Sequence, residues 1–160
     1  MASPGDVPAM TRIYNEGLAD RVGTFETRPR SEDEVSAWFD DLHPIVVVAA
    51  EGGRIVAFAS TSTYRTRDCY AGIAEFSVYV SRAERGRGAG RVAMDALMAA
   101  AATAGFWKLV SRIFIENTAS RTLMARAGFR EVGIYEKHGK LDGVWRDVVI
   151  VERVIPENLR

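Results

Sequence analysis

Cysteine is nearly absent from this sequence, because Cys69 is the only one in 160 residues. No intramolecular disulfide and no cysteine-based metal cluster can therefore form within one chain. Net charge is also absent, since 21 Lys and Arg residues balance 21 Asp and Glu residues. Because the chain as a whole has no net positive charge, nucleic acid and anionic membranes are not expected as partners. Any attraction for a charged ligand must be local.

Long apolar runs are missing as well. No uninterrupted stretch approaches the roughly 20 residues that a membrane span needs, and residues 1–6 lack the basic and apolar regions of a signal peptide. His43 and His138 stand apart from acidic or cysteine residues at ligand spacing, so no metal site is predicted. These absences together predict a cytoplasmic protein.

The composition that remains is that of a globular protein. Hydrophobic residues make up 48% of the chain and charged residues 26%, which suits one domain, 1–160, with a sizeable core. No repeat or low-complexity linker divides the chain.

Four helices are predicted from apolar residues at helical spacing. The first begins after Asp6 as its capping residue and ends at Gly17. The second begins with a capping box of Ser31 and Glu34 and ends near His43. The third and fourth cover 88–104 and 118–127. The predicted apolar faces comprise Val7, Met10, Ile13 and Tyr14 in the first helix, Val35, Trp38, Phe39 and Leu42 in the second, and Val92, Ala96, Leu97 and Ala100 in the third.

Six β-rich runs predict strands. Turns at 51–54 and 142–143 join antiparallel hairpins, whereas intervening helices imply parallel crossovers. The predicted fold is therefore α/β, with a mixed sheet covered by helices. The six strands are 45–50, 55–63, 73–81, 109–115, 129–135 and 144–154.

A glycine-rich loop at 85–91 is the sharpest local signal, because it follows a predicted strand and opens a predicted helix. Its glycines let the backbone approach a ligand, and the amides at a helix start favour an anion. Three arginines add charge that suits a diphosphate. A tight turn with solvated arginines is the alternative. The loop reads Arg85, Gly86, Arg87, Gly88, Ala89, Gly90, Arg91.

Two nucleotide-binding motifs fit this loop poorly. A dinucleotide fingerprint would directly follow the first strand, but here two helices and a hairpin come first. A phosphate-binding loop of the Walker type ends in Gly-Lys-Ser/Thr, and this one continues as Gly90-Arg91-Val92.

These residues resemble the GNAT superfamily of N-acetyltransferases, whose coenzyme motif Gln/Arg-x-x-Gly-x-Gly/Ala is matched by Arg85, Gly88 and Gly90. The resemblance covers nearly the whole chain and is strongest to the phosphinothricin and arsinothricin N-acetyltransferase branch. It implies a mostly antiparallel sheet with splayed parallel strands, acetyl-CoA as co-substrate, and a homodimer. The segments that carry the narrower match are 14–16, 24–29, 64–67 with Tyr70, 75–80, 116–120, 127–129 and 143–147.

The resemblance also implies how the coenzyme is held. The pantetheine arm is expected to pair with the backbone of Val78, Tyr79 and Val80, and the pyrophosphate to sit on the amides of 86–91. Asn117 is implied near the pantetheine or thiol end.

Glu75 occupies the catalytic position of the resembled branch. An amine is mostly protonated near neutral pH, so transfer to it requires a base, acting directly or through water. The alternative is a carboxylate paired with a nearby arginine. Cys69, beside Asp68 and Tyr70, is read as a structural thiol.

The acceptor site is implied in the same way. In the resembled branch Arg65, Arg67 and Tyr70 bind the acidic groups of the substrate, which guanidinium suits. A solvated basic loop is the alternative. Phe25, Thr27 and Trp145 are candidate pocket walls, although aromatic residues in such places more often serve packing.

Two departures from the family pattern stand out. Met124 occupies the position where relatives carry a Tyr or His general acid, which leaves Tyr135, His138 or water as candidates. The first strand of the superfamily is missing or very short, so the strand at 45–50 is expected at a sheet edge.

The sequence therefore predicts an acetyl-CoA-dependent N-acetyltransferase for the α-amine of an acidic amino-acid analogue such as phosphinothricin, arsinothricin or methionine sulfoximine. Two alternatives remain. One is an acetyltransferase for another small amine or a peptide N-terminus, and the other is a coenzyme-A-binding module without turnover.

Overall fold

The computed structural model describes all 160 residues, with six strands in one sheet and four α-helices. The sheet order is β1-β2-β3-β4-β6-β5, and only β3 and β4 run parallel. This confirms the predicted α/β class. The elements are α1 Val7–Ala19, α2 Glu32–Ser36, β1 Ile45–Ala49, β2 Ile55–Thr63, β3 Ile73–Val80, α3 Ala89–Thr103, β4 Lys108–Phe114, α4 Thr118–Arg126, β5 Arg130–Leu141 and β6 Val144–Val154.

The parallel pair splays apart after three residues. Residues 73–75 of β3 pair with 108–110 of β4, after which β3 continues along β2 and β4 continues along β6. Ser111 Oγ donates to the Phe76 carbonyl at 2.9 Å where the strands part. The sheet therefore opens into a cleft that presents unpaired backbone groups.

The backbone N–H and C=O groups of successive β3 residues point alternately toward β2 and toward the cleft. The Ser81 amide donates to the Val56 carbonyl, so the antiparallel ladder with β2 uses the odd-numbered residues. The peptide groups of Val78 and Val80 therefore point away from β2, whereas those of Tyr79 are directed toward Phe58.

Two apolar layers hold the sheet. One face packs on α3 and α4 through a large core that includes Phe76, Leu97 and Met124. The other face packs on α1, where Met10 and Ile13 are fully buried. None of the four α-helices combines the length and the apolar composition that a membrane span requires.

The prediction of which side of α3 is buried is wrong. Val92 is 55% exposed and Ala96 is also exposed, whereas Leu97 is buried as predicted. Most positions of this Ala-rich helix are apolar, and only Arg91 and Asp95, one turn apart, mark the exposed side, which the prediction did not use. The buried residues are Gly90, Ala93, Met94, Leu97 and Ala101.

The ends of α1 also differ from the prediction. The Asp6 carboxylate accepts from the Ser3 amide at 2.8 Å and makes no cap hydrogen bond to α1. Gly17 does not end the helix, which runs to Ala19. A Cβ at Gly17 would lie 2.9 Å from Tyr79 Cδ1, so this glycine instead allows close approach of α1 to β3.

The capping box of α2 is confirmed, since Glu34 N donates to Ser31 Oγ and Ser31 N to Glu34 Oε2. The hydrogen bond from Arg28, with that of the Ser31 amide, lowers the pKa of Glu34 to about 2. The helix nevertheless ends at Ser36 rather than near His43, and Leu42 is exposed. The Asp40 carboxylate accepts from the amides of Leu42 and His43, which forms a turn instead of a further helical turn.

The edge position of the first strand is as expected. No strand precedes α1, and β1 forms one end of the sheet. The Ala2 amide donates to the Ile45 carbonyl at 2.8 Å, which covers one polar group of that edge.

Candidate functional site

The opening between β3 and β4 is a cleft of about 1230 Å³. It is lined by the diverging strands, the starts of α3 and α4, and residues 20–23 after α1. All residues predicted to hold the coenzyme line it except Arg87, which projects outward and pairs with Glu84. Those in the lining are Val78, Tyr79, Val80, Arg85, Gly86, Gly88, Ala89, Gly90, Arg91 and Asn117.

The glycine loop forms the start of α3. Gly86 and Gly88 have φ of +75° and +89°, and Gly88 is the N-cap residue. The first helical hydrogen bond runs from Val92 N to Gly88 O, so the amides of the first turn have no helical acceptor and can bind an anion. Gly90 has another role, because a Cβ there would lie 3.0 Å from Leu123 Cδ2 of α4.

The arginines of the loop are held by local partners. Arg85 Nη1 donates to Asp20 Oδ2 at 2.6 Å, and Arg91 Nε donates to Asp95 at 2.9 Å. Asp20 also accepts from Arg82. Hydrogen bonds from Arg82 and then Arg85 hold the pKa of the Asp20 carboxyl below its ordinary value. The end of α1 thereby fixes one side of the loop.

We expect Asp20→Asn to reduce the acid-side pH dependence of stability. A carboxyl whose folded-state pKa is lowered stabilises the protein above its unfolded pKa, about 3.9, and that stabilisation is lost as pH falls through the folded value. The variant should therefore unfold more easily at pH 7, by at most about 1 kcal/mol for a partly exposed pair. Urea unfolding between pH 7 and pH 2 checks this, and a difference from wild type that does not shrink as the pH falls would contradict it.

Asn117 joins two walls of the cleft. Its Oδ1 accepts from the Ser120 amide at the start of α4, and its Nδ2 donates to the Val22 carbonyl at 2.9 Å. Arg21 reaches Asp142 at 2.9 Å from the same segment. The side chain of Asn117 thus orders the segment after α1 across the cleft.

Glu75 lies next to the cleft but does not line it. Its side chain is 31% exposed, and its Oε1 accepts from Arg112 Nη2 at 2.6 Å. Arg112 does line the cleft. The arginine-paired arrangement considered as an alternative is therefore present, with an arginine of β4 as the partner.

The residues predicted for acceptor binding are not brought into the cleft of one chain. Arg65 lies over the rings of Tyr64 and Tyr70 at 5.2 and 5.9 Å, on an exposed loop that also carries Arg67. Phe25 packs edge-on against Phe114 at 4.8 Å. Two others project outward: Thr27 is exposed, and Trp145 is 53% exposed with Lys140 over its ring.

The candidates for a general acid are similarly separated from the cleft. Tyr135 and His138 contact each other at 5.0 Å on β5 and do not line it. Met124 lines it but is buried and cannot donate a proton. Burial raises the pKa of Tyr79, whose side chain therefore stays protonated.

Sequence reasoning missed two cleft arginines, Arg112 and Arg146. Arg146 pairs with Glu116 and lies 6.0 Å from the Phe114 ring, and its Nε is buried without a hydrogen-bond partner. The available signal was strand alternation, which places Arg146 on the face of Val148 and Ile150. No group of His, Cys, Asp or Glu side chains could hold a metal ion.

Comparison with protein families decides the identity. The model of the acetyltransferase (GNAT) family matches residues 10–129. This chain belongs to the GNAT acetyltransferase family. It is accordingly an acetyl-CoA-dependent N-acetyltransferase, as the sequence predicts.

Three proteins illustrate what this chain is similar to within the family. The phosphinothricin N-acetyltransferase of Streptomyces coelicolor is 34% identical, covering 92% of this chain and 90% of its own. The L-methionine sulfoximine/L-methionine sulfone acetyltransferase of Pseudomonas aeruginosa is 30% identical over 94% and 90%. The structure of a GNAT phosphinothricin acetyltransferase from Sinorhizobium meliloti with acetyl-CoA superposes with a TM-score of 0.89, at 29% identity over 96% and 85%.

Acetyl-CoA fits the chemistry of this GNAT cleft. The ligand carries a diphosphate and an amide-containing arm. The cleft offers the amides of the first turn of α3 and two arginines at one end, and the peptide groups of Val78 and Val80 along its length, where the Val80 carbonyl accepts from Arg85 Nε at 3.3 Å. A Cβ at Gly86 or Gly88 would meet no atom within 4 Å, so the loop surface there is open.

Proposed function

We propose that this enzyme transfers the acetyl group of acetyl-CoA to the α-amine of an acidic amino-acid analogue of the phosphinothricin, arsinothricin or methionine sulfoximine type. The observation that carries the proposal is the cleft between β3 and β4, with an anion-binding helix start at one end and the Glu75–Arg112 pair beside it. The named activities of the Streptomyces and Pseudomonas relatives support the acceptor class.

The coenzyme end follows from the backbone geometry. The amides of Ala89, Gly90 and Arg91 would hold the diphosphate, with Arg85 and Arg91 neutralising its charge. The peptide groups of Val78 and Val80 would pair with the pantetheine amides. Bound there, acetyl-CoA supplies an acetyl group already activated as a thioester.

Glu75 serves as the base in this proposal. It takes a proton from the acceptor ammonium, directly or through one water, and leaves a neutral nitrogen able to attack. The Val78 amide, which points away from β2, would donate a hydrogen bond to the negative charge that develops on the carbonyl oxygen. As the C–N bond forms, the thioester C–S bond breaks and coenzyme A leaves as its thiolate, which takes the second proton of the nitrogen through water. Holding both substrates in one cleft supplies a further part of the rate.

A thiol-release assay with a panel of amines tests the function. Phosphinothricin and methionine sulfoximine should be acetylated with kcat/KM above roughly 10⁴ M⁻¹s⁻¹, the lower range for enzymes on their own substrates. A peptide with an N-terminal alanine should be turned over poorly. Faster turnover of the peptide, or of a simple amine, would contradict the acceptor class.

We also propose that the enzyme is a homodimer that buries the face of the β5–β6 hairpin that carries Ile134 and Trp145. This hairpin exposes several large apolar side chains, which is uncommon on a monomer surface. They are Val132, Ile134, Tyr135, Val144 and Trp145.

We expect Ile134→Glu combined with Trp145→Glu to convert the dimer to a monomer, because two charges would be buried in an apolar contact. Sedimentation equilibrium measures the mass. Leu42→Glu, at an exposed leucine outside the hairpin, is the matched control and should remain dimeric. A wild-type chain that sediments as a monomer would rule the dimer out.

A further inference from the structure

We infer that Arg126 binds the 3′-phosphate on the ribose of acetyl-CoA, and that the enzyme therefore discriminates against acetyl donors that lack this phosphate. The orientation of the coenzyme in the cleft is that of the proposed function, on which this inference rests. The residues concerned lie at the end of the cleft where α3 begins and α4 ends.

Arg126 is the one arginine of the cleft lining without a partner. Six arginines line the cleft, and each of the other five pairs with a carboxylate of the same chain. The Arg126 guanidinium makes neither an ion pair nor a hydrogen bond, and the residue is exposed. An incoming anion can therefore bind it without displacing a carboxylate. The five paired arginines are Arg21, Arg85, Arg91, Arg112 and Arg146.

Contacts between α3 and α4 place Arg126 next to the glycine loop. Arg91 Nη1 donates to the Arg126 carbonyl at 2.7 Å, and a Cβ at Gly90 would lie 3.0 Å from Leu123 Cδ2. Thr122, one helical turn before Arg126, also lines the cleft. The end of α4 thus brings a hydroxyl and a free guanidinium close to the amides at the start of α3.

The direction of α4 indicates which part of the coenzyme reaches Arg126. The helix begins after Asn117, which is expected beside the pantetheine arm, and Arg126 is its last residue. Residues 118 and 126 are separated by about 12 Å along the helix axis. Because the pantetheine arm runs from the diphosphate toward Val78, the adenosine leaves the diphosphate on the other side, where α4 ends. The charged group of that adenosine is its 3′-phosphate.

A phosphate monoester is a suitable ligand for this arginine. It carries close to two negative charges near neutral pH, and a guanidinium can give two parallel hydrogen bonds to its oxygens. The Thr122 hydroxyl can donate another. Solvent screens an exposed pair, so the effect should lie at the low end for a charged hydrogen bond.

A role in helix stability makes a different prediction. Arg126 is the basic residue in the last turn of α4, where a cation interacts favourably with the helix dipole. That role needs no ligand, so it implies no dependence of coenzyme affinity on the 3′-phosphate.

Calorimetric titration with coenzyme A and with 3′-dephospho-coenzyme A separates these roles, because the two ligands share the diphosphate and differ only in the 3′-phosphate. Wild-type enzyme should bind coenzyme A about tenfold more tightly, the value of one charged hydrogen bond at the low end of its range. In Arg126→Gln this preference should fall to about twofold or less, through weaker binding of coenzyme A. Arg126→Lys, which keeps the charge, should recover part of it.

Arg130→Gln is the matched control. It removes the same charge close by in the chain, but Arg130 pairs with Glu152 outside the cleft. Its preference for coenzyme A should stay within about twofold of wild type. An unchanged preference in Arg126→Gln, an equal loss of affinity for both ligands, or the same loss of preference in Arg130→Gln would each overturn the inference.

No acceptor takes part in this measurement, so its outcome is independent of the acceptor class. If wild-type enzyme binds both ligands equally, Arg126 does not read the 3′-phosphate, while the proposed function stands. If folded wild-type enzyme binds neither ligand, both fail. An enzyme that shows the expected preference and acetylates none of the amines would contradict the proposed function alone.

Discussion

Glu75→Gln should lower kcat by roughly 10²- to 10⁴-fold, the usual contribution of a general base, while acetyl-CoA binding stays within about twofold because no coenzyme contact is removed. The amide retains an oxygen that can accept from Arg112, so the local structure should persist. Stopped-flow turnover with phosphinothricin and calorimetry with coenzyme A measure the two quantities. The loss should be largest near neutral pH, where the ammonium form of the acceptor dominates.

The matched control is Glu131→Gln. Glu131 likewise pairs with an arginine, Arg121, but lies outside the cleft. Its kcat should be unchanged within about twofold, as for a surface pair. If Glu75→Gln retains full turnover, Glu75 is not the base. If the wild type binds coenzyme and turns over no amine, a binding module without catalysis is the better description.

Gly88→Ala should weaken acetyl-CoA binding by roughly 10- to 100-fold. Gly88 holds φ of +89° at the start of α3, and an L-residue there costs about 1–3 kcal/mol or moves the loop. Either result misplaces the amides that bind the diphosphate, and each 1.4 kcal/mol is about a factor of ten in affinity. Calorimetric titration with acetyl-CoA measures the loss.

The same helix provides a control with matched backbone strain. Gly105, just after α3, also has φ of +89°, and a Cβ there also meets no atom within 4 Å. Gly105→Ala should destabilise the fold by a similar amount without changing coenzyme affinity. Equal affinity losses in both variants would attribute the effect to helix stability rather than to the loop.

The elements were predictable because their local signals are strong. The capping box at Ser31 and the turn at 142–143 depend on residues adjacent in sequence, and both occur where predicted. The buried side of α3 had only a weak signal, since Arg91 and Asp95 are the two charged residues that mark its exposed side. The end of α2 depends on Asp40, whose carboxylate competes with the helix for backbone amides.

The two ends of the site also differ in how far they could be predicted from residues adjacent in sequence. The coenzyme residues follow one another along β3 and the glycine loop, so a local motif identified nearly all of the cleft lining on that side. The face of the sheet that carries Glu75, Arg112 and Arg146 is assembled from β3, β4 and β6, which are far apart in sequence. Arg112 and Arg146 look like ordinary strand residues, and only the register shows that they lie on the same face of the sheet as Glu75.

Calorimetric titration with coenzyme A and with pantetheine, which lacks the diphosphate, tests most directly whether the amides at the start of α3 bind that group. We predict a Kd for coenzyme A below roughly 100 μM and binding of pantetheine weaker by about two orders of magnitude, the value of two charge-assisted hydrogen bonds. Equal affinities for the two compounds, or no heat from coenzyme A at millimolar concentration with folded protein, would show that these amides do not bind the diphosphate.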